Sequence, residues 1–457
     1  MTLDRVIQCQ MQHFALGDQR LNQRCHQLQA QLLQQDCAQS LPRLFNEKPK
    51  LKAFYRLMNN PKLTPKALTQ GYRQGLIEWA SQQPTNARDR FLFLVQDSTV
   101  VRYHGRKLDI GYLQNADDNG LWLHHGILTD SDFVPLGLPI QQFIQRDRTE
   151  FGKRHSHKQR PFQQKESYKW IEGLDFAHHF EQQTGFRIMQ LADAECDIAE
   201  WYNYALQHQQ AFVIRAASDR RLAKTQLTLS AYLAQQPVGG QVLRPIRDAS
   251  GRVHSLLCAL KWGSVHLRGI DKPLGVVELR QVEPLVDGTP AHWCLLTQQT
   301  VNSLSQAEAL VETYTHRWRT CEDFHKCQKT GCQLEARQFE SVGALTNCIG
   351  LLSLVAVRLL RLRHQTQIDS AQAMAFSNQG EEAVAHQLSP RYLSPTERQR
   401  LSAGSIGWFW QLLARLGGHQ GVSQRGTPGW QTIWKGYQYF QVLVEGYNMS
   451  KNINLPP

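Results

Sequence analysis

The spacing of hydrophobic residues changes twice along the chain, and each spacing predicts a different kind of element. In residues 16–59 apolar side chains recur every three or four positions, which predicts helical structure. Pro61 and Pro65 interrupt this pattern, and a further helix is predicted for residues 65–81 before a polar break at residues 82–86. The chain therefore begins with a small helical domain, which we place at residues 1–65.

Beyond the break the pattern becomes that of strands. Residues 91–95 form a fully apolar run that ends just before Asp97, and two more strands are predicted at residues 121–128 and 134–144. A helix, a buried strand ending at Asp193, a second helix and another strand follow, at 166–184, 186–192, from about 198, and at 211–216. This order predicts a mixed α/β layer within a central domain of residues 66–365.

The remaining segments predict an insertion and a helical C-terminal part. Strand-like segments at residues 252–262, 274–282 and 293–297 fall within residues 225–300, which we interpret as a β-rich insertion rather than as part of the first sheet. A long helix is predicted for residues 305–330, and residues 366–457 form a mostly helical third domain.

Composition excludes several classes of protein. The chain has 457 residues, of which 41% are apolar, and this excludes disorder as the main state. Its longest apolar run, residues 349–357, is far shorter than the roughly 20 residues that a bilayer requires, and no secretory signal is visible. We therefore expect a cytoplasmic protein without a membrane partner, whose ten cysteines are mostly small core residues.

The net charge predicts an anionic partner. There are 51 Lys and Arg against 39 Asp and Glu, which gives a formal charge of +12, and nucleic acid is the usual anionic partner of such a chain. The positive charge is concentrated in residues 146–160 and 215–224. A solvated basic surface explains either segment equally well when it is taken alone.

Two aspartates that follow apolar strands are candidates for metal binding. Carboxylates of Asp97 and Asp193 on neighbouring strands could share divalent cations about 4 Å apart. The alternative for each is an aspartate that begins a turn. Glu195 and Asp197 are predicted to begin the next helix rather than to form a calcium loop, since the loop's glycine and final glutamate are missing.

A third candidate lies in the long predicted helix. Residues 314–331 combine an aromatic ring, cations and a carboxylate at helical spacing, a set that can position a phosphate backbone beside a metal. An exposed amphipathic helix is the alternative. The nearby Cys321, His325, Cys327 and Cys332 lack the ligand spacing of a structural zinc site.

Together these segments resemble the DDE signature of bacterial cut-and-paste transposases, specifically the IS-four family and its transposon-five type. The matching strings are Asp97-Ser98-Thr99, Asp193-x-Glu195-x-Asp197, and Tyr314-x2-Arg317 followed by Glu322-x6-Lys329. Further strings, from Ala15-Leu-Gly-Asp18 to Trp434, extend the resemblance over nearly the whole chain.

The resemblance implies a ribonuclease-H-like catalytic core with a β-rich insertion, between helical N-terminal and C-terminal domains. Asp97, Asp193 and Glu322 would bind two Mg²⁺ ions, for which Mn²⁺ substitutes, and catalyse phosphodiester hydrolysis, hairpin formation and strand transfer. The implied partners are double-stranded DNA at transposon ends, target DNA, and a second copy of the chain in the DNA complex. The implied location is the bacterial cytoplasm, with nucleoid association when bound to DNA.

The resemblance also implies a set of DNA-binding side chains. Trp293 would stack on a flipped base, while Arg215, Tyr314 and Arg317 would hold the surrounding phosphates. For Trp293 alone, an ordinary core or surface aromatic is the alternative. Other contacts are expected from residues along the long helix and in the N-terminal domain, namely Lys326, Lys329, Arg24 and Arg56.

The sequence departs from the family pattern at one point. Four residues instead of three separate Arg317 from Glu322, which in a regular helix turns Glu322 some 140° from Arg317 rather than about 40°. We predict a π-bulge between these two residues that restores the face. The alternative is a regular helix with Cys321 in the place of the acid, which would make the protein a catalytically silent, DNA-binding regulator. A structure-specific nuclease of the same fold is a third hypothesis.

Overall fold

Among the described residues, five α-helices precede the first strand. The computed structural model describes residues 5–35, 37–104, 108–153, 159–247, 253–283, 290–368, 373–374, 379–421 and 428–452. The first helices are α1 (Arg5–Gln12), α2 (Gln19–Gln34), α3 (Leu41–Leu44), α4 (Lys48–Met58) and α5 (Pro65–Ser81). The helical character predicted for residues 16–59 is confirmed, divided among three helices. Asp18 starts α2 by accepting a hydrogen bond from the Leu21 amide, and prolines occupy the first turns of α3, α4 and α5.

Nine strands form one mixed sheet in the order β3-β2-β1-β4-β5-β9-β8-β7-β6. Strands β1 and β4, and β4 and β5, are parallel, and the other pairs are antiparallel. The strands are β1 (Phe91–Arg102), β2 (Gly120–Thr129), β3 (Pro135–Ile144), β4 (Arg187–Ala192), β5 (Ala211–Arg215), β6 (Gly240–Arg247), β7 (Val253–Val265), β8 (Leu274–Gln281) and β9 (His292–Thr297). The predicted mixed α/β layer is therefore confirmed.

The insertion is β-rich as predicted, but its separation from the first sheet was wrong. Strand β9 returns beside β5, where Val213 pairs with Thr297 and Arg215 with Leu295, so strands β6 to β9 extend the same sheet. The edge of β5 would otherwise expose unpaired backbone groups, and β9 satisfies them. Sequence spacing could not reveal this because strand pairing is a non-local contact.

Helices lie on both faces of the sheet, whereas the C-terminal helices pack mainly on one another. The helices that follow α5 are α6 (Ile171–Thr184), α7 (Ala199–Gln207), α8 (Leu229–Gln235), α9 (Leu304–Lys326), α10 (Val342–Ile368), α11 (Gln379–Tyr392), α12 (Pro395–Arg400), α13 (Ile406–Leu416) and α14 (Trp430–Asn452). Gly173 of α6 approaches Gln96, whereas Arg317 of α9 contacts Asp97. Because successive side chains of a strand point to opposite faces, α6 and α9 lie on opposite sides of β1.

Helix α10 is a core helix. Residues Val342–Thr366 are long and apolar enough to cross a membrane, but 83% of the apolar window is buried inside the protein. Gln29 and Asn347 tie this helix to the N-terminal helices, because Gln29 donates to the Leu351 carbonyl and Asn347 donates to the carbonyls of Met58 and Leu63. Nine of the ten cysteines are buried as free thiols, as predicted for core residues.

Candidate active site and nucleic-acid interface

Asp97 and Asp193 lie side by side at one end of the parallel strands. The pairing of β1 with β4 ends at Val95 and Leu191, and each aspartate comes two residues later. Equal displacement keeps both carboxylates at the same register position and on the same face, and neighbouring strands are about 4.8 Å apart. The expectation that Asp97 ends its strand was wrong, however, because β1 continues to Arg102 against β2 alone.

The surroundings of Asp97 show how this carboxylate is held. Burial raises the pKa of Asp97 to about 6, and repulsion from Asp193 acts in the same direction. Arg317 opposes the shift, since its Nη1 donates to Asp97 Oδ2 at 3.2 Å, and the Ser98 amide donates to Oδ1 at 2.8 Å. Among the described residues, Arg317 is the one cation that pairs with either carboxylate, so an excess of negative charge favours a further cation at this position.

The second aspartate is fixed by the turn that follows it. Asp193 Oδ1 accepts from the Glu195 amide at 2.9 Å and so caps the short turn Ala194–Cys196. Glu195 Oε2 in turn lies 3.3 Å from Nζ of Lys169, whose side chain is buried. The prediction that Glu195 and Asp197 begin the next helix is wrong by a few residues, because α7 starts only at Ala199.

Four of the predicted DNA-binding side chains form one cluster next to these aspartates. The rings of Trp293 and Tyr314 meet edge to face with centroids 5.5 Å apart, and the Arg317 guanidinium lies 5.6 Å from the centre of the Tyr314 ring. Burial raises the pKa of Tyr314, and the charges of Arg317, Arg215 and Asp193 all act on its hydroxyl. The cluster joins β5, β9 and α9 around the end of β4.

Within the described part of the chain, two buried polar atoms of this cluster have no hydrogen-bond partner. They are the Tyr314 hydroxyl and Nε of Arg317. Buried polar groups are normally hydrogen-bonded, so an unpaired group leaves donor capacity that a bound molecule could use. A hydroxyl and a guanidinium N–H are both donors suited to a phosphate oxygen.

Glu322 does not join the two aspartates in this structure. Helix α9 is a regular α-helix from Leu304 to Lys326, so the π-bulge predicted between Arg317 and Glu322 is wrong. Glu322 Oε2 instead lies 3.3 Å from Nζ of Lys326, while the buried Cys321 occupies the turn that follows Arg317 and donates its thiol to the Val95 carbonyl. A π-helical turn is present, but further on, at Cys327–Gly331.

The acids therefore fit a metal only in part. Asp97 and Asp193 have the donor type and the proximity that Mg²⁺ requires. Within the ranges that the structure describes, no three His, Cys, Asp or Glu side chains lie close enough together to hold a metal ion. Glu322 would complete such a group only from a different position on α9.

The other predicted contacts lie outside this cluster. Arg24 on α2 and Arg56 on α4 are exposed. Lys326 is exposed and paired with Glu322, and Lys329 lies in the π-turn, where burial lowers its pKa and Glu335 opposes that shift.

The described cations of the first basic segment are largely neutralised by acids, and in the second segment Arg220 is paired. Arg146 pairs with Glu166 at 2.8 Å, and Arg148 pairs with Asp109 at 2.9 Å. Arg154 and Lys158 lie outside the described residues. In the second segment, Nε of Arg220 donates at 2.8 Å to Asp197, whose side chain is fully buried. Of the second segment, Arg215 is the residue that the structure places in the cluster.

Lys169 is a site residue that the sequence did not indicate. Its ammonium group lies between Glu166 at 3.7 Å and Glu195 at 3.3 Å, and it connects the turn after Asp193 to the segment before α6. Lys169 lies within the string Lys165-Glu166-Ser167 with Trp170, which is part of the family resemblance. The string by itself does not indicate a catalytic or binding role. Only the fold shows that the string lies beside Asp193.

A comparison with known protein families identifies the N-terminal part of the chain. Residues 5–63 match the family described as transposase DNA-binding. The match covers α1 to α4 and the residues up to the start of α5, including Arg24 and Arg56. The protein thus carries a transposase-type DNA-binding domain in front of its α/β core, which supports its assignment to the DNA-binding transposases.

Proposed function

We propose that the protein is a cut-and-paste DNA transposase of the IS-four family, transposon-five type. The observation that carries the proposal is the meeting of Asp97 and Asp193 with Arg317, Tyr314 and Trp293 at one end of the sheet, in a chain with a transposase-type N-terminal domain. Paired carboxylates beside donor groups and the partly buried Trp293 ring suit the cleavage of a DNA backbone.

Helix α4 supplies the proposed surface for the transposon ends. Lys48, Lys52 and Arg56 follow one another at four-residue spacing and are all exposed, so they form one basic stripe. The side chains of Leu51 and Tyr55 line a shallow cleft beside them. Cations along a helix can follow phosphates, and an aromatic ring between them can contact sugar or base. Arg24 on α2 is proposed as a further contact.

The cleavage chemistry is proposed for the cluster around Asp97. Two Mg²⁺ ions, for which Mn²⁺ substitutes, are the proposed cofactors, and when bound they would activate the attacking oxygen and stabilise the leaving oxygen. Arg317, Arg215 and the Tyr314 hydroxyl would neutralise and orient the scissile phosphate. Trp293 would receive an unstacked base, a contact worth roughly 1–3 kcal/mol. Lys326 and Lys329 would contact the strand further along α9.

Helix α14 is the proposed dimer surface. Tyr439, Val442 and Met449 are 47%, 62% and 58% exposed and lie at spacings of three and seven residues, so they share one side of the helix. Large apolar residues exposed together on one helix favour an interface with another chain. A second copy of this chain on paired DNA ends is the proposed partner.

Asp97→Ala tests the catalytic assignment. Purified protein would be mixed with a labelled duplex taken from the inverted repeat that flanks its gene, with Mg²⁺ present. The substitution should reduce cleavage to background, at least 1,000-fold, while end binding is retained because the removal of an anion does not weaken attraction to phosphate. Asp89→Ala, an exposed acid just before β1, is the matched control and should cleave normally.

Three other outcomes would change the proposal. Retention of the end by the wild-type chain without any cleavage would favour a silent, DNA-binding regulator. Cutting without strand joining would favour a structure-specific nuclease of the same fold. Equal loss of binding and cleavage in Asp97→Ala would contradict the metal-binding role of Asp97.

A further inference from the structure

The position of Glu322 poses a geometric problem for the proposed function. Residues four apart on an α-helix share a face, so Cys321 rather than Glu322 follows Arg317 towards the aspartates. Cys321 is fully buried, and its thiol donates to the Val95 carbonyl at 3.7 Å. A neutral thiol is a poor ligand for Mg²⁺, which takes oxygen ligands.

The helix also carries a spare residue close by. In the turn Cys327–Gly331 the Cys332 amide donates to the Cys327 carbonyl at 2.9 Å, five residues back, which is the pattern of a π-helix. Such a turn holds one residue more than an α-helical turn. If the extra residue were absorbed between Arg317 and Glu322 instead, residues 322–326 would rotate by about 100° and advance by about 1.5 Å. Glu322 would then occupy the position that Cys321 holds now.

In the present register, several buried polar groups in and around the C-terminal part of α9 lack hydrogen bonds to the described residues. Among the described residues, four buried atoms in this region have no hydrogen-bond partner: Thr320 Oγ1, His325 Nε2, Gln328 Oε1 and His125 Nδ1. Four such atoms in one region are unusual, because buried polar groups are normally paired. Thr320, His325 and Gln328 all lie in the stretch that a migrating π-turn would cross.

We propose that the π-turn Cys327–Gly331 is the positioning element for Glu322, and that its migration along α9 brings Glu322 beside Asp97 and Asp193. This inference rests on the proposed function, because it assigns Glu322 to the same site. Migration has a cost, since Phe324, now fully buried, would leave its position to His325. The shifted register is therefore populated when a divalent cation binds it better than the present one.

Two single-residue deletions separate the two registers. Deletion of Cys321 removes the spare residue upstream and fixes Glu322 on the face of Arg317 in a regular helix. Deletion of Thr330, in the π-turn, removes the same spare residue downstream and fixes Cys321 on that face. Cys321 lies in α9 and Thr330 in the π-turn that directly continues it, so both variants lose one residue from one continuous segment and each is the matched control for the other.

Mn²⁺ binding to the full chain, measured by titration calorimetry and electron paramagnetic resonance, is the readout. The chain without Cys321 should bind Mn²⁺ at least tenfold more tightly than the chain without Thr330. The affinity of the latter should equal that of Glu322→Gln. Equal affinities of the two deletion variants would overturn the proposal.

Hydrogen exchange on the wild-type chain gives a second test that needs no deletion to fold. With Mn²⁺ added, amides of residues 327–331 should gain protection and those of residues 318–322 should lose it, because the π-turn has moved. An unchanged exchange pattern under saturating Mn²⁺ would contradict the proposal. Mn²⁺ binding that follows these predictions in a chain that cuts no DNA would remove the proposed function and leave the register inference intact.

Discussion

At the scale of single residues, the site combines charges that repel with cations that compensate them. Asp97 and Asp193 lie side by side just beyond the point where the parallel pairing of β1 and β4 ends, and Arg317 and the Ser98 amide stabilise the first of them. The charge of Lys169 plays the same part for Glu195. Three buried histidines differ from these ion-paired side chains. Burial lowers the pKa of His124, His125 and His325, so their rings are neutral.

His325→Phe tests this buried neutral state. Burial lowers the pKa of His325 to about 3 in the folded chain, whereas in the unfolded chain the pKa of this side chain is near 6.5. Between these values the unfolded chain binds a proton at His325 and the folded chain does not. The wild type therefore loses stability as the pH falls below 6.5. Between pH 7.5 and 5 its free energy of unfolding should fall by about 2 kcal/mol more than that of His325→Phe.

Urea unfolding at pH 7.5, 6 and 5 measures this difference. His104→Phe is the matched control, because that ring is exposed and stays in water in both states. If the free energies of unfolding of the wild type and of His325→Phe fell equally on acidification, the claim that His325 is buried in its neutral form would be wrong.

At the scale of elements, close approach of helices fixes the C-terminal part. Helices α13 and α14 cross at Gly417 and Gly436, where a Cβ atom would come within 1.8 Å of the carbonyl oxygens of Thr432 and Leu413. Such contact is possible only without side chains. Gly446, also on α14, has open space where a Cβ atom would lie.

The two glycines of α14 should respond in opposite ways to alanine. Gly436→Ala should lower the free energy of unfolding by about 2–3 kcal/mol because the helices must separate. Gly446→Ala should raise it by up to about 1 kcal/mol because alanine favours the helix. Urea unfolding of the two variants in parallel measures both effects, and a stable Gly436→Ala chain would refute the crossing.

Elements also show where local pattern stops being informative. The apolar runs predicted the types of most elements from residues 65–81 to β9 because a strand or helix face is a local property, but they gave no prediction for α8 or β6. They did not predict that β1 continues past Asp97 or that β9 pairs with β5, since each depends on the partner that the segment meets. The sequence did not indicate Lys169 for the same reason, because its partner Glu195 is distant in the chain.

At the scale of the whole molecule, the N-terminal domain is attached firmly to the core. Arg337, which is buried, donates to the carbonyls of Cys37, Gln39 and Cys332, and so links the loop after α2 to the end of the π-turn. Hydrogen bonds from a charged donor such as a guanidinium are stronger than those between two neutral groups. A DNA end held by α2 and α4 would therefore have a fixed position relative to α9.

Val442→Asp tests the proposed assembly of two such molecules. A charge in the middle of the exposed apolar side of α14 should weaken the dimer on DNA at least tenfold through desolvation and repulsion between copies. The fold should be unaffected, within about 0.5 kcal/mol, because the residue is exposed. Asn448→Asp adds the same charge elsewhere on the helix and is the control.

Light scattering after size-exclusion chromatography, with and without end DNA, measures the oligomeric state. Unchanged dimer formation by Val442→Asp would exclude this face of α14 as the interface.

The sequence by itself determined the order and kind of most elements, the transposase-type N-terminal domain, and Asp97, Asp193 and Arg317 of the site, because apolar spacing and motif strings are properties of the chain alone. The tertiary structure alone decided which side of α9 faces the sheet. One extra residue turns a helix by about 100°, and the turn that absorbs it is chosen by the packing of residues such as Cys321 and Phe324 against β1 and its neighbours. That energy depends on contacts distant in the chain, so no local pattern contains it.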